Sequence, residues 1–313
     1  MSAIVTITFS PCIDKSASVD KLVPEKKLKC KSLKLEPGGG GINVARAIKK
    51  LGGEATAIYP IGGYTGKFFH QLMIDETISS IVTEIKNETR ENIMILEEST
   101  NQQYRFGMPG TKLEQREWQL LLQSVNAISD AKFIVASGSL PPGVPEDIFA
   151  RIARIAKKKG VKFIADTSGE ALKHAADEGV FLLKPNLGEL SFLLNKNYLQ
   201  SGEIAGAARQ IISKGNCEMV VVSMGSDGAM LVTREIVKKV SPPVVKRKST
   251  VGAGDSMVAG IVLALLNGNI IEDAIQYGVA CGTAATLNPG TELCRKEDAD
   301  RLFALIQSSE VIV

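Results

Sequence analysis

Histidine and cysteine are scarce in this chain, and their scarcity removes whole classes of chemistry. Only two histidines occur in 313 residues, His70 and His174, so a histidine-rich zinc site is excluded. The five cysteines, Cys12, Cys30, Cys217, Cys281 and Cys294, are odd in number, scattered and free of any C-x-x-C pair. They read as reduced thiols, mostly buried, and not as a disulfide framework. Long apolar runs are also missing. The longest apolar-or-glycine run, Met257 to Leu266, would span about 15 Å as a helix, half of a bilayer core. The opening MSAIVTITFSPCIDK has neither a basic segment nor a small-residue cleavage site, so a cytoplasmic protein without a membrane partner is expected. Neither sign of charge dominates: 37 Lys and Arg face 34 Asp and Glu. A nucleic-acid partner, which generally calls for a strongly basic face, is not expected. At 44% hydrophobic and 23% charged residues the chain is too apolar for disorder.

Familiar nucleotide and hydrolase motifs are absent as well. No G-x-x-x-x-G-K-[ST] occurs; TGKF at Thr65–Phe68 lacks the upstream glycine and the hydroxyl residue. No G-x-G-x-x-G opens a helix, which disfavours a dinucleotide-binding oxidoreductase, and there is no G-x-S-x-G elbow. A phosphate-handling site here has to be neither Walker nor Rossmann.

What is present is an alternation of short β-branched runs with segments of helical period. Ile4–Phe9, Ala55–Tyr59, Phe133–Ala136, Lys162–Ala165, Phe181–Leu183 and Met219–Ser223 read as strands. Trp118, Leu121, Leu122 and Val125 share one helix face, with Thr111 and Glu114 spaced as its capping box; Ser201 is placed to cap the helix carrying Ile204, Ala208 and Ile211. Alternating βα units predict a mostly parallel sheet covered on both faces, and no linker or repeat divides residues 1–313. Two polar, alternating regions break the rhythm, about 15–36 and 88–107. They read either as a small β lid over a ligand crevice or as an ordinary edge hairpin. From Ser249 to about Gln307 the pattern is nearly continuous helix.

Three constellations carry possible chemistry. Four glycines, Gly38 to Gly41, run into a helix at Asn43; they form a ligand loop or a flexible turn. Ser249–Gly260, STVGAGDSMVAG, leads through Gly252-Ala253-Gly254 into a helix apolar on all sides. Asp255 in its first turn is what a plain helix start prefers. Beside the N–H groups of an anion hole it is equally a base for a hydroxyl attacking a phosphoryl group. In KPNLGEL, Asn186 and Glu189 are either a cap with its capping-box partner or a pair for hydrated Mg²⁺. Asp14 follows the first strand, Ser139 sits in SGSLPPG, and Ser223–Ala229 is a glycine-punctuated hairpin turn. Lys26, Lys27, Lys29, Lys31 and Arg90 lie in the lid regions, as a cationic site or a solvated face.

Together these segments resemble the two signatures of the PfkB (ribokinase-like) carbohydrate kinase family. Gly38–Asn43 and Ser249–Gly260 stand in the family's order, with KPNLGEL between them as its N-x-x-E element, and the likeness runs from Ile4 to about Leu305. The resemblance implies a three-layer α/β/α fold with a β lid, and phosphorylation of a sugar hydroxyl by ATP with Mg²⁺. It makes Asp255 the catalytic base and Gly252, Ala253 and Gly254 the anion hole. It makes Asp14, Gly39, Gly40, Asn43 and Ser139 sugar contacts, and Lys27, Lys29 and Arg90 the cations for an existing phosphate. Lys184, Asn186, Ser223, Gly225, Gly228 and Thr283 fall in the nucleotide pocket, with Asn186 and Glu189 at Mg²⁺ through water. A K⁺ site at Ser249, Val251, Ala285, Asn288 and Gly290, and a homodimer paired through the lids, are also implied. The expected acceptor is fructose 6-phosphate, with fructose 1-phosphate and tagatose 6-phosphate as alternatives. A non-catalytic sugar or nucleotide sensor on the same fold is the rival from another class. Two departures bear on the acceptor: Ser10 replaces the asparagine common in T-x-N-P-x-x-D, and Lys29 stands where a relative has arginine.

Overall fold

The computed structural model describes residues 2–215 and 217–310. In chain order the strands are β1 (Ile4–Ile7), β2 (Cys12–Val19), β3 (Lys31–Gly38), β4 (Ala55–Ile61), β5 (Ser79–Glu84), β6 (Arg90–Glu97) and β7 (Gln102–Phe106). They continue as β8 (Phe133–Ser137), β9 (Lys162–Asp166), β10 (Leu182–Leu183), β11 (Met219–Ser223), β12 (Ala229–Val232) and β13 (Val237–Val240). The helices are α1 (Gly40–Lys50), α2 (Gly63–Asp75), α3 (Gln115–Asn126), α4 (Ile148–Lys159) and α5 (Gly169–Glu178). Then come α6 (Leu187–Leu193), α7 (Ile204–Gly215), α8 (Ala253–Leu266), α9 (Ile271–Thr286) and α10 (Lys296–Glu310).

Nine strands form one sheet in the order β13-β12-β11-β10-β9-β8-β1-β4-β5, parallel except for the β12–β13 edge. Strict alternation sends its side chains into two cores. Phe133 and Val135 of β8 join the layer of α1, α8 and α9; Ile134 and Ala136 join the layer of α3, α4 and α5. A parallel sheet has to be covered on both faces, and this three-layer α/β/α arrangement does so. The second sheet, β3-β2-β6-β7, is spliced in between β1 and α1 and again between β5 and α3. It matches the two irregular regions, but its first strand begins at Cys12, so Asp14 belongs to the small sheet itself.

Two caps differ from expectation. Glu114, not Thr111, caps α3 and shares its capping box with Glu117, while Thr111 Oγ1 donates to the Glu88 carbonyl. Ahead of α7, Gln200 takes the capping position with Glu203, leaving Ser201 inside a single 3₁₀ turn. Long acidic and amide side chains reach back in both places as well as a serine hydroxyl would.

Candidate active site

Carboxyl ends of parallel strands converge beside the starts of two buried helices. At the α8 start, Gly252 adopts a left-handed conformation (φ 71°) as N-cap. A Cβ there would stand 2.6 Å from Leu293 Cδ2, so glycine is required both by backbone and by space. In the first turn, Asp255 Oδ2 accepts a hydrogen bond from Asn43 Nδ2 at 2.9 Å, and Oδ1 accepts one from Ser137 Oγ at 3.3 Å. Asn43 is delivered by α1 because that helix starts tight against β8: a Cβ on Gly40 would collide with Ser137 Oγ and approach Gly138 N at 2.6 Å. Lys184 Nζ pairs with Asp166 Oδ1 at 3.0 Å, and a Cβ on Gly254 would stand 3.5 Å from the same ammonium.

The electrostatics favour a base. Burial, then the charge of Asp166, push the Asp255 carboxyl up to about 7 against Asn43, Lys184 and Ser137. Burial works against the Lys184 ammonium, yet Asp166, with Asp255 and Glu189, holds it above the ordinary lysine value. A carboxyl poised near neutrality at the positive end of a helix can both take and release a proton.

Two cavities open near this helix start, one reaching Ala253 and Gly254 and the other Val251. One, about 360 Å³, is lined by Ser223, Gly225, Gly228, Ala253, Gly254 and Thr283 among others. Four of the six residues expected in a nucleotide pocket, Ser223, Gly225, Gly228 and Thr283, therefore line one cavity. Lys184 lies beneath Gly254. Asn186 is linked to Ser223 by a β-bridge. The second cavity, about 270 Å³, is lined by Asp14, Gly39, Arg90, Asn92, Arg105 and Val251 among others. Burial pushes the Asp14 carboxyl up, against hydrogen bonds from Asn92 and Cys12. Glycine is forced at Gly38, where a Cβ would strike the Asp14 carboxylate. Near the end of β1, Thr8 Oγ1, Ser10 Oγ, Asn43 Oδ1 and Arg90 Nε are buried without a partner among the described residues. Buried polar atoms left open in this way mark a place shaped for a polar ligand.

Other expected residues stand elsewhere. Ser139 is exposed, and Ser137, two residues earlier, is the serine that touches Asp255. Lys27 and Lys29 are exposed in the connection from β2 to β3 and do not line the second cavity. Asn186 and Glu189 form the capping box at α6: Glu189 N donates to Asn186 Oδ1, and Asn186 N to Glu189 Oε2. Ser249 Oγ donates to the Gly290 carbonyl at 2.7 Å and accepts from Val251 N; Asn288 N donates to the Ala285 carbonyl. The TGKF helix start is occupied from within, since Glu88 accepts from the N–H groups of Tyr64 and Thr65. Ser137, Asp166, Asn92 and Arg105 were not singled out from the sequence. Ser137 and Asp166 end the runs FIVAS and KFIAD, polar residues closing apolar strands at the sheet's carboxyl edge, and that is a readable signal.

A glycine-led helix start with a near-neutral carboxylate in its first turn, on an α/β/α sandwich with a small appended sheet, is the arrangement of a ribokinase-like phosphotransferase. The chain belongs to the pfkB family of carbohydrate kinases, whose model matches residues 5–298. It is 44% identical over 307 residues to the ATP-dependent 6-phosphofructokinase isozyme 2 of Escherichia coli K12, covering 98% of this chain and 99% of that one. Against a 1-phosphofructokinase of Borreliella burgdorferi the identity is 30% over 309 residues, 98% of this chain and 99% of the relative. The crystal structure of Escherichia coli phosphofructokinase-2 with fructose-6-phosphate superposes with a TM-score of 0.91 at 42% identity, covering 98% and 100% of the two chains.

Proposed function

We propose that this chain transfers the terminal phosphoryl group of ATP to a hydroxyl of fructose 6-phosphate, yielding fructose 1,6-bisphosphate and ADP. The observation that carries the reading is Asp255, half-buried and near-neutral in the first turn of α8, hydrogen-bonded to Asn43 and Ser137. Ala253 and Gly254 just before it line the first cavity, and Val251 lines the second. The Ser223–Gly228 turn and Thr283 bind the nucleotide in the first cavity. Asp14 and Gly39, which line the second, hold the acceptor's hydroxyls together with Asn43, whose open Oδ1 takes one hydroxyl hydrogen. Asp255 removes the proton as the acceptor oxygen bonds to the γ-phosphorus; the bond to the bridging oxygen breaks and ADP leaves with its electron pair. The N–H groups at Gly252, Ala253 and Gly254 stabilise the charge on the group in transit.

The acidic residues suit a magnesium ion that rides on the nucleotide. Among the described residues no three His, Cys, Asp or Glu form a cage, and Mg²⁺ on phosphates needs only one or two carboxylates and water. Glu189 and Asn186 would hold it through water, with Asp166 close enough to influence Glu189. Bound there, the ion would neutralise phosphate charge. A K⁺ site at Ser249, Val251, Ala285, Asn288 and Gly290 belongs to the same reading. So does pairing of a second copy through the small sheet, where Ile93 and Phe106 oppose each other and are both exposed. Residues 1–313 are read as one kinase unit acting in the cytoplasm.

The test is the initial rate of ADP formation with Mg-ATP over fructose 6-phosphate, fructose 1-phosphate, tagatose 6-phosphate, fructose and ribose, for wild type and Asp255→Ala. Both fructose esters give the same bisphosphate, so the rates and not the product decide. The expected result is a preference for fructose 6-phosphate that falls at least ~10²-fold in the variant. Binding without turnover would favour the sensor, and preference for another ketose phosphate would move the substrate.

A further inference from the structure

Two neutral side chains grip Asp255 from opposite oxygens. Asn43 Nδ2 donates to Oδ2 at 2.9 Å, and Ser137 Oγ donates to Oδ1 at 3.3 Å. Ser137 closes β8, and its register partner is Asp166, which closes β9. Partners on adjacent parallel strands send their side chains to the same face. Ser137 Oγ therefore also lies 3.5 Å from Asp166 Oδ2. The two strand ends are tied beyond the sheet: Gly138 N donates to the Asp166 carbonyl, and Thr167 Oγ1 donates to the Gly138 carbonyl.

A serine hydroxyl has one hydrogen, and here two carboxylates stand within its reach. Asp166 has a cation of its own, Lys184 Nζ, 3.0 Å from Oδ1. Among the described residues, Asp255 Oδ1 accepts from Ser137 alone. The hydrogen is therefore of most use on Asp255. Ser137 is 4% exposed and lies under the start of α1, where a Cβ on Gly40 would collide with its Oγ; that packing holds the oxygen in place. At 3.3 Å the bond is long, as catalytic contacts commonly are before substrate binds. A carboxylate held at one oxygen can turn about its Cβ–Cγ bond. Held at both, it presents its remaining lone pairs in one direction.

Building on the proposed function, we infer that Ser137 is a positioning residue for the base: its hydroxyl fixes Asp255 Oδ1 as Asn43 fixes Oδ2, so the carboxylate plane is set before the acceptor's proton arrives. Ser137 lines neither cavity, so it acts through Asp255 and not on a substrate. By donating to the ionised carboxylate it also favours that form, against burial and the charge of Asp166 and alongside Asn43 and Lys184. Asp166 from β9 and Lys184 after β10 are the charged groups facing Asp255; α1 and β8 present the uncharged Asn43 and Ser137.

The experiment compares wild type, Ser137→Ala and Ser137→Cys in rates with fructose 6-phosphate and Mg-ATP. Beside it runs an NMR titration of the Asp255 carboxyl in protein without substrates, the signal assigned by its loss in Asp255→Asn. Ser137→Ala should lower kcat about 10- to 100-fold, the worth of a hydrogen bond to a charged group, with both KM values within about 3-fold. The Asp255 midpoint, and the acidic limb of kcat/KM with it, should move up from about 7 by about one pH unit. Ser137→Cys, a weaker donor, should recover part of both effects. An unchanged kcat would overturn the assignment. So would an unmoved midpoint, which would make any loss of rate merely structural, or a raised KM at constant kcat, which would place Ser137 on the acceptor. If wild type turns over no sugar, the proposed function fails, and the titration still decides whether Ser137 governs the ionisation of Asp255.

Discussion

Asp255→Asn separates the two consequences of burying a base. An ordinary aspartate ionises near pH ~4, whereas burial and Asp166 bring this one to about 7. The native state therefore holds its proton more tightly than the unfolded chain does. Between about pH 4 and 7 the unfolded chain is the more ionised, so raising the pH through that window erodes the stability of the native state. The full difference corresponds to about 4 kcal/mol above pH 7. That is a ceiling, because Asp255 keeps some access to the cavities and its charge favours Lys184. Asparagine has the same shape, still accepts a bond from Ser137 or Asn43, and carries no charge. We expect urea unfolding to show Asp255→Asn ahead of wild type by about 1–3 kcal/mol at pH 8 and level with it near pH 4.5. Wild-type kcat/KM should rise through about pH 7 as the base ionises. A stability gap that does not vary with pH, or that shrinks as pH rises, would refute the reasoning.

Two further outcomes follow from packing. Gly40→Ala should lower kcat/KM at least ~10-fold, because the new methyl pushes α1 off β8 and pulls Asn43 from Asp255. Gly206→Ala, at an open position in α7, should instead raise stability by about 0.5–1 kcal/mol in urea melts. Arg46 is 2% exposed and donates to Glu76, Glu36 and the Pro37 carbonyl. Arg46→Met should cost about 2–4 kcal/mol in the same assay, since it takes the cation from half-buried Glu76, leaves buried Glu36 only Lys34 and Thr291, and frees the Pro37 carbonyl before the glycine loop. A loss under 1 kcal/mol would show that water compensates them.

The sequence made the central sheet legible because its strands are short β-branched runs closed by polar residues, and burial on both faces rewards that pattern. Met219–Ser223 is a strand over its whole length, while β10 is confined to Leu182–Leu183. Strand β5, SSIVTE, carries a weak pattern because an edge strand needs only one apolar face. At the site, glycines and Asp255 were visible as sequence because their constraint is local. Ser137 and Asp166 were not: each meets the site through a partner 118 or 18 residues away, and nothing in a neighbouring residue announces that. The exposed lysines showed the converse. Charge density in a segment is readable, but which cations face a cavity depends on strand register.

The small sheet is joined to the larger body by four separate crossings: Thr8–Pro11, the glycines after Gly38, residues 85–89 and residues 107–114. A flap on one hinge could swing without disturbing what it covers; a panel sewn in at four places cannot. Any tilt of this sheet has to be absorbed at all four seams together. One seam presents Ser10, one the glycine loop, and another Met108, which Arg90 and Asn92 grip. The angle of the sheet and the shape of the second cavity are thus a single mechanical variable. On the proposed function, fit of the acceptor and tilt of the sheet would be set together and not one after the other.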